Sequence, residues 1–236
     1  MTPISLPISR LRRNEVKLPA IENGDCLNQA TFHARYKTMP SAFRAELIGG
    51  RVHAPSPLRL AHSELHVELV FWLKSYARKT PGVRVTDHAT TILGPDSEPQ
   101  PDAALLIEGG QTRKNAEGYM VGPPELVVEV ASSSRAYDLF DKRHDYERYG
   151  VAEYLVLLLD EERAVWFTRP ARRKTGRTGK FVEAATPRDG LCKSAVAPGL
   201  WLDPAALFRL DTNKVMETLN VGLATAEHAA FVARLR

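Results

Sequence analysis

The sequence predicts an α/β domain in which a mixed β-sheet is flanked by α-helices. The short apolar run LVVEV at 126–130 is typical of a strand covered on both faces, and EYLVLLL at 153–159 also predicts a strand. The stretch 60–78 has apolar residues at three- and four-residue spacings, the pattern of an amphipathic helix that packs on a sheet. Strand-like and helical segments are interspersed without a linker or an internal repeat, so residues 25–210 are predicted to form one domain.

The individual elements can be assigned in chain order. Residues 1–24 are rich in Pro, Arg and polar residues and are expected to form an extended arm. Asp25 is a suitable N-cap for a helix at 26–37, which Pro40 ends, and Gly49-Gly50 predicts a hairpin. The elements expected after the long helix are strands at 83–93, 102–108 and 125–131, a helix at 137–149 followed by Gly150, paired strands in EYLVLLLD and AVWFTR, short strands at 180–184 and 190–196, and a C-terminal helix within 211–236.

Composition excludes several classes of protein. The chain of 236 residues, 44% of them hydrophobic, is long enough to bury one sizeable core. It has no run of about 18 apolar residues, and its N-terminus lacks the basic-then-apolar order of a signal peptide, so we expect a cytoplasmic protein without membrane association. Cys26 and Cys192 are too far apart in sequence to indicate a disulfide framework or a cysteine zinc site. The net charge of +4 is compatible with a polyanionic partner but does not require one.

Two acidic residues stand at strands that are predicted to be buried. Glu129 interrupts the apolar run 126–130, where an ionised carboxylate costs roughly several kcal/mol unless a partner or a metal offsets its charge. Asp102 follows Pro101 and opens the apolar run 103–107. If the two strands are neighbours, the carboxylates repel unless a cation such as Mg²⁺ lies between them. Alternatively, Asp102 caps a turn and Glu129 pairs with an arginine, and these residues alone do not decide between the two.

A lysine on the following helix is the third candidate. Asp138, Lys142 and Tyr146 are spaced i, i+4, i+8 and share one helix face. If that face packs beside Glu129, the Lys142 ammonium can orient or help deprotonate a water and stabilise negative charge on a phosphate. Tyr146 is expected to be structural, with its hydroxyl near Asp138. The alternative is a solvent-exposed Lys142–Asp138 pair, worth only about a few tenths of a kcal/mol.

These segments together resemble a bacterial family called "putative restriction endonuclease", within the PD-(D/E)xK nuclease superfamily. The resemblance spans about residues 43–200 and rests on Pro101-Asp102, ELVVEVASSS, the set Asp138, Lys142 and Tyr146, YGVAEYLVL, AELIGGRV, PSPLRLAH and SAVAPGLWLD. It implies a restriction-endonuclease-like core with a metal-dependent phosphodiesterase site. In that site Asp102 and Glu129 would bind Mg²⁺, or Mn²⁺ in its place, and Glu46 would be a further acidic member. The expected partner is DNA, and a homodimer is compatible with this expectation.

The chain departs from the superfamily pattern at the strand lysine. Ala131 stands where the E-x-K motif has lysine, and the resemblance suggests that Lys142 has taken over that role. Gln100 stands where a basic residue is often expected before Pro-Asp. Two functions therefore remain: a metal-dependent DNA endonuclease, and a nuclease-fold module with weak or no activity that binds nucleic acid or a protein.

Other residues are candidate substrate contacts. His62 begins the long helix and could face the site, although a surface or packing role is commoner for a histidine there. Ser132 and Ser134 could bind phosphate, but an N-cap role for the next helix is at least as compatible with the pattern. The segment RPARRKTGRTGK, at 169–180, is either a solvated loop or a non-specific contact to the DNA backbone. Its candidate contacts are Arg172, Arg173 and Lys174.

Overall fold

The computed structural model describes residues 18–169, 179–185 and 188–235. The helices are, in chain order, α1 (Gln29–Tyr36), α2 (Leu60–Lys79), α3 (Arg143–Tyr149), α4 (Pro204–Phe208), α5 (Thr212–Leu223) and α6 (Ala226–Arg234). The strands are β1 (Glu46–Ile48), β2 (Arg51–His53), β3 (Val83–Asp87), β4 (Thr91–Ile92), β5 (Ala103–Ile107), β6 (Arg113–Lys114), β7 (Met120–Val121), β8 (Leu126–Ala131), β9 (Glu153–Leu158), β10 (Arg163–Thr168), β11 (Val182–Glu183), β12 (Cys192–Lys193) and β13 (Trp201–Leu202). A π-helical segment, Tyr137–Lys142, leads directly into α3, and a short 3₁₀ turn, Leu159–Glu161, connects β9 to β10.

The central sheet has six strands in the order β11-β10-β9-β8-β5-β3. Strands β8 and β9 run parallel, whereas the other neighbouring strands run antiparallel. Every residue of β8 is buried, as the apolar run 126–130 predicted for a strand covered on both faces, and every residue of β9 is buried as well. The predicted α/β fold with a mixed central sheet flanked by helices is therefore confirmed.

The two faces of the sheet are covered by different helices. On one face, α2 and the C-terminal helices form a core with alternate residues of β8, including Val128 and Val130. On the other face, Tyr146 of α3 packs against Val127 and Ala131. Because successive strand residues point to opposite faces, Glu129 lies on the same face as Val127 and Ala131, towards α3.

A smaller apolar cluster packs the N-terminal elements against one another. It contains Phe32 of α1, Leu47 and Val52 of the β1–β2 hairpin, and Ile21. The Glu98 backbone N–H donates to the Leu47 carbonyl at 2.8 Å, which fastens the hairpin to the segment that precedes β5. The hairpin thereby brings its first residue, Glu46, towards the sheet.

Some elements differ from the sequence predictions. Helix α1 begins at Gln29, because Asn28 rather than Asp25 accepts a capping bond, from the Thr31 N–H, while Asp25 pairs with Arg35 at 2.9 Å. The predicted single C-terminal helix is two helices, α5 and α6, separated at Thr225, whose side chain accepts the His228 N–H. Ile21, within the predicted arm, is buried, while residues 1–17 of that arm lie outside the described residues. The proposed division into arm, domain and C-terminal segment stays a prediction.

Within the described residues, no helix combines the length and the apolar character needed to cross a lipid bilayer.

Candidate active site

Asp102 and Glu129 lie at the same level of adjacent strands. In the antiparallel register of β5 and β8, Ala103 pairs with Val128, so Asp102 comes opposite Glu129. The Asp102 backbone N–H donates to Glu129 Oε2 at 3.4 Å, and the Val130 N–H donates to Asp102 Oδ2 at 2.7 Å. The two strands are thus neighbours, as the argument for a shared cation requires.

Lys142 brings a positive charge to Glu129 from the helical layer that covers this face of the sheet. Its Nζ atom lies 3.0 Å from Glu129 Oε1 and 3.0 Å from Glu46 Oε2, and 3.8 Å from Asp138 Oδ1. Lys142 is only 6% exposed, so the alternative of a solvent-exposed pair with Asp138 is wrong. The Tyr146 hydroxyl donates to Glu129 Oε1 at 2.8 Å, not to the Asp138 carboxylate, which corrects its expected partner.

Glu129 therefore has partners of its own within the chain. A buried carboxylate needs a countercharge or hydrogen-bond donors, and Lys142 and Tyr146 supply both. The alternative pairing with an arginine is wrong, because the contacting cation is Lys142. It also follows that the burial of Glu129 does not by itself require a metal ion.

The π-helical segment determines where Lys142 sits. The predicted helix at 137–149 forms, but its first six residues are π-helical and Lys142 is the last of them. Such a segment widens the helix locally and occurs frequently at functional sites. At the junction with α3, Lys142 reaches both the central sheet and the β1–β2 hairpin.

The site contains more carboxylates than one ammonium can balance. Burial raises the pKa of Glu129 well above its usual range even though Lys142 opposes the shift, and burial likewise raises the pKa of Asp138 to about 6. Burial lowers the pKa of Lys142, but Glu129 and Glu46 outweigh it and hold that pKa well above its ordinary value. The lysine is therefore protonated, and because the ionised forms of Glu129 and Asp138 are disfavoured here, a further cation would stabilise them.

Three histidines lie close to Asp102, the other acid of the pair. His88 Nε2 lies 3.2 Å from Asp102 Oδ1, His62 Nε2 lies 3.7 Å from Asp102 Oδ2, and His66 Nε2 lies 3.0 Å from the Asp102 carbonyl oxygen. Burial opposes ionisation of Asp102, but the neighbouring His62 and His88 hold its pKa well below the usual range. The bond to Asp102 in turn raises the pKa of His88 to about 9, although burial opposes this.

Sequence reasoning named His62 but missed His66 and His88. The four-residue spacing of His62 and His66 puts both on one face of α2 and was a usable signal. The approach of His88 depends on the end of β3 meeting α2, which no local pattern indicates.

The acids of the site offer the chemical type of ligand that a hard divalent cation takes. Asp102 and Glu129, with Glu46 nearby, offer carboxylate oxygens, which are the ligands that Mg²⁺ prefers. Glu46 is held in place by the Gln100 N–H, which donates to its Oε1 at 2.9 Å. The Gln100 side chain donates to the Tyr36 hydroxyl at 3.0 Å, so this residue supports the acid rather than supplying a basic group.

The remaining candidates have other contacts or lie elsewhere. The Ser132 hydroxyl donates to Asp160 Oδ2 at 3.1 Å. The Ser134 carbonyl accepts the Asp138 N–H at 2.9 Å, which places Ser134 at the start of the π-helical segment. Three candidates lie outside the described residues: Arg172, Arg173 and Lys174.

Comparisons with known proteins bear on the fold and the family. The family model described as "Uma2: Putative restriction endonuclease" matches residues 30–205. A solved structure from Anabaena variabilis ATCC 29413, described as a putative nuclease belonging to DUF820, is similar with a TM-score of 0.54 and 15% identity, covering 74% of this chain and 97% of that chain. At this identity the likeness concerns the fold alone. No curated protein matches the sequence.

Proposed function

The chain belongs to the Uma2 putative restriction endonuclease family, and from this premise we propose that it is a Mg²⁺-dependent endonuclease that hydrolyses phosphodiester bonds of DNA. The observation that carries the proposal is the position of the Lys142 ammonium, 3.0 Å from Glu129 on the sheet and 3.0 Å from Glu46 on the hairpin. Three separate elements thus bring two acids and a lysine to one point. Such a set combines oxygen ligands for a cation with a proton-bearing group for water or phosphate.

The metal ligands in this proposal are Asp102 and Glu129, with Glu46 as a further acid. Bound there, Mg²⁺, or Mn²⁺ in its place, would supply Lewis-acid charge that favours attack of water on a phosphodiester and offsets charge on the leaving oxygen. Asp102 is fixed by the Val130 N–H, and Glu129 by the Tyr146 hydroxyl. These bonds hold the carboxylates in place before a cation binds, which lowers the reorganisation that binding requires.

Lys142 is assigned the role of the missing strand lysine. Its Nζ carries a proton and is directed at the acids, so it can donate a hydrogen bond to the attacking water or to a non-bridging phosphate oxygen. Attack of water on phosphorus breaks one P–O bond and leaves a phosphate monoester and an alcohol. In that step the ammonium stabilises charge that grows on the phosphate, and Glu46 keeps the lysine in position.

One observation favours a second candidate function. Because Lys142 and Tyr146 already offset the charge of Glu129, the buried site is also compatible with a nuclease fold that binds nucleic acid or a protein with little or no catalysis. In its nucleic-acid form, this alternative predicts binding of duplex DNA without any metal-dependent change in the DNA strands.

A plasmid assay distinguishes the two candidates. Supercoiled DNA is incubated with the purified full chain in Mg²⁺, in Mn²⁺ and in a chelator, and an RNA of the same sequence serves as the second substrate. The proposed function predicts nicked or linear DNA only where a divalent ion is present. DNA binding in a mobility-shift experiment, combined with intact plasmid under every metal condition, would instead establish the binding module.

A further inference from the structure

Three side chains outside the proposed magnesium ligands converge beside Asp102. His66 comes from the middle of α2, Asp87 is the last residue of β3, and His88 follows it directly. His66 Nε2 lies 3.2 Å from Asp87 Oδ1, and His88 Nδ1 lies 2.6 Å from the same oxygen. One potential ligand atom from each of the three residues falls within 4.8 Å of the other two. We propose that His66, Asp87 and His88 form a second cation site, which takes a transition-metal ion of the zinc class.

The backbone is shaped so that Asp87 and His88 point the same way. Adjacent residues of an extended strand direct their side chains to opposite faces. Here the strand ends at Asp87, and His88 adopts a φ of 46°, in the left-handed region that a non-glycine residue rarely occupies. Such a conformation costs on the order of 1 kcal/mol and persists where surrounding interactions require it. Its result is that both side chains face His66.

The chemistry of the ligands selects the kind of ion. Two imidazole nitrogens and one carboxylate oxygen suit Zn²⁺, Co²⁺ or Ni²⁺, whereas Mg²⁺ prefers oxygen ligands alone. Ligands bonded to tetrahedral Zn²⁺ at about 2.0–2.1 Å lie roughly 3.3 Å from one another. The His66–Asp87 separation of 3.2 Å matches this spacing, and the His88–Asp87 separation of 2.6 Å is within several tenths of an ångström of it.

Asp102 supplies the outer contact that such a site needs. If His88 ligates through Nδ1, its Nε2 lies 3.2 Å from Asp102 Oδ1, a carboxylate oxygen that could fix the tautomer and the ring orientation. Metal-ligating histidines almost always donate their other N–H to a carboxylate, a carbonyl or water. His66 would exchange its contact with the Asp102 carbonyl, at 3.0 Å, for the ion.

The position of the site gives it access to substrate. The side chain of Asp87 is 55% exposed and that of His88 is 45% exposed, so solvent or a phosphate oxygen can complete the coordination. A metal site with three protein ligands and an open position is the arrangement found in catalytic rather than structural zinc sites. Through His88, whose Nε2 lies 3.2 Å from Asp102 Oδ1, the ion would lie beside the proposed magnesium site.

Cobalt provides a direct test because its visible absorption reports coordination by nitrogen ligands. The full chain is titrated with Co²⁺ in the presence of excess Mg²⁺, and Zn²⁺ is then added to displace the cobalt. We expect a saturable absorption band that Zn²⁺ removes, and at least about tenfold weaker Co²⁺ binding in His66→Ala, Asp87→Asn and His88→Ala. His144→Ala is the matched control, because it deletes an exposed histidine of α3.

The outcomes separate this inference from the proposed nuclease. Glu129→Gln should keep the cobalt band, because Glu129 is not a ligand of the second site. Equal Co²⁺ affinity in the parent, His88→Ala and His144→Ala would overturn the inference, leaving only a hydrogen-bonded histidine network. Loss of the band in Glu129→Gln with retention in His88→Ala would also overturn it, by moving the ion to the acids. A histidine-dependent band in a protein that cleaves no DNA would uphold the second site while the proposed function fails. Circular dichroism verifies each fold, and because the His88 side chain is nearly half exposed, its truncation leaves the core intact.

Discussion

The ammonium of Lys142 lies 3.0 Å from Glu129 Oε1, although the lysine comes from the helical layer and the acid from the middle of the central sheet. Both side chains are almost completely buried. The strand position where a PD-(D/E)xK nuclease has its lysine is filled by Ala131, which packs in the core. In the proposed function the ammonium of Lys142 takes the place of that strand lysine, and this pair is where the proposal can be tested most directly.

The first prediction concerns the charge of Glu129. Glu129→Gln keeps the side-chain volume and removes the negative charge, so we expect a folded protein with a large loss of Mg²⁺ affinity and of any nuclease rate. Calorimetric titration with Mg²⁺ and the plasmid assay measure the two effects.

Glu98→Gln is the matched control for this change. Glu98 is equally buried, but it binds Gln29 and His33 at the N-terminal cluster rather than the site. The Glu98→Gln variant should leave Mg²⁺ binding unaltered. Undiminished Mg²⁺ affinity in a folded Glu129→Gln protein would contradict the proposed metal site.

The second prediction concerns Lys142. Lys142→Ala should leave Mg²⁺ binding roughly intact and lower cleavage by on the order of 100-fold or more, since the ammonium acts on water and phosphate. It should also lower the free energy of unfolding by roughly 3–5 kcal/mol, because Glu129 and Glu46 lose their countercharge in a buried position. Because the Mg²⁺ affinity is expected to be roughly unchanged, added Mg²⁺ should raise the free energy of unfolding of the variant and of the parent by similar amounts.

Two further variants test whether a loss of cleavage comes from the position of the Lys142 ammonium. Lys193→Ala removes a lysine that pairs with Asp189 near the surface and should change neither cleavage nor the response to Mg²⁺. Ala131→Lys in the Lys142→Ala background restores the strand lysine on the face of Glu129, and recovery of part of the rate is expected. Full activity of Lys142→Ala would show that another group performs the lysine's role.

The third prediction compares two buried tyrosines of the same cluster. The Tyr146 hydroxyl donates to the carboxylate of Glu129 at 2.8 Å, whereas the Tyr154 hydroxyl donates to the neutral carbonyl of Asp138 at 3.0 Å. Bonds to charged groups are worth about 1.5–3 kcal/mol and neutral ones about 0.5–1.5 kcal/mol. Tyr146→Phe should therefore lower the free energy of unfolding more than Tyr154→Phe does in urea denaturation. Equal losses would indicate that Glu129 is not charged in the folded protein.

Local sequence carries signals for Glu129 and Lys142, whereas Glu46 was suggested only by the family resemblance. An acid inside an apolar strand and a lysine at helical spacing from Asp138 and Tyr146 can be recognised without knowing the fold. Their roles as metal ligand and catalytic lysine stay predictions. Their mutual contact is non-local, and so is the partner of the Tyr146 hydroxyl, which the sequence assigned to the wrong acid.

Other features leave little local signal. The short strands β6 and β7 were missed, and β6 consists of two exposed basic residues, Arg113 and Lys114, that have no apolar alternation. The break between α5 and α6 depends on a single capping threonine, Thr225, inside a continuous helical pattern. The convergence of His66 with Asp87 requires the packing of α2 against β3, which only the folded chain provides.

The fourth prediction is a pH dependence of stability at Asp145, a buried acid that binds the Ser97 hydroxyl. Burial raises its pKa from 3.8 to about 6, although Ser97 opposes the shift. Because the pKa is higher in the folded than in the unfolded protein, the folded state binds the proton more tightly. The contribution of Asp145 is therefore most favourable below pH 3.8, falls as the pH rises to about 6, and is constant above that.

Asp145→Asn isolates this titration from the others. The amide stays neutral, so the stability of the parent relative to the variant should fall by roughly 2–3 kcal/mol between about pH 4 and pH 6. Urea denaturation of both proteins at several pH values gives this difference. A difference that does not vary with pH would mean that Asp145 titrates at its ordinary pKa in the folded chain.

The last prediction concerns DNA affinity and the basic segment at 169–180. Non-specific contacts to phosphates carry affinity without sequence information, and each one adds roughly 0.9 to the slope of log affinity against log salt. Replacing Arg172, Arg173 and Lys174 by alanine should therefore flatten that slope by up to about three units. The measurement is a salt titration of duplex binding in Ca²⁺, which supports binding while limiting cleavage.

The matched control removes the same charge at three exposed residues, Lys74, Arg78 and Lys79. The last two of these lie in the final turn of α2, about 18 Å or more along the helix from His66, so this triple variant should keep the slope of the parent. Equal slopes for the parent and the Arg172, Arg173, Lys174 variant would leave the segment with solubility as its role, and equal flattening by both triple variants would show that net charge rather than position sets the affinity.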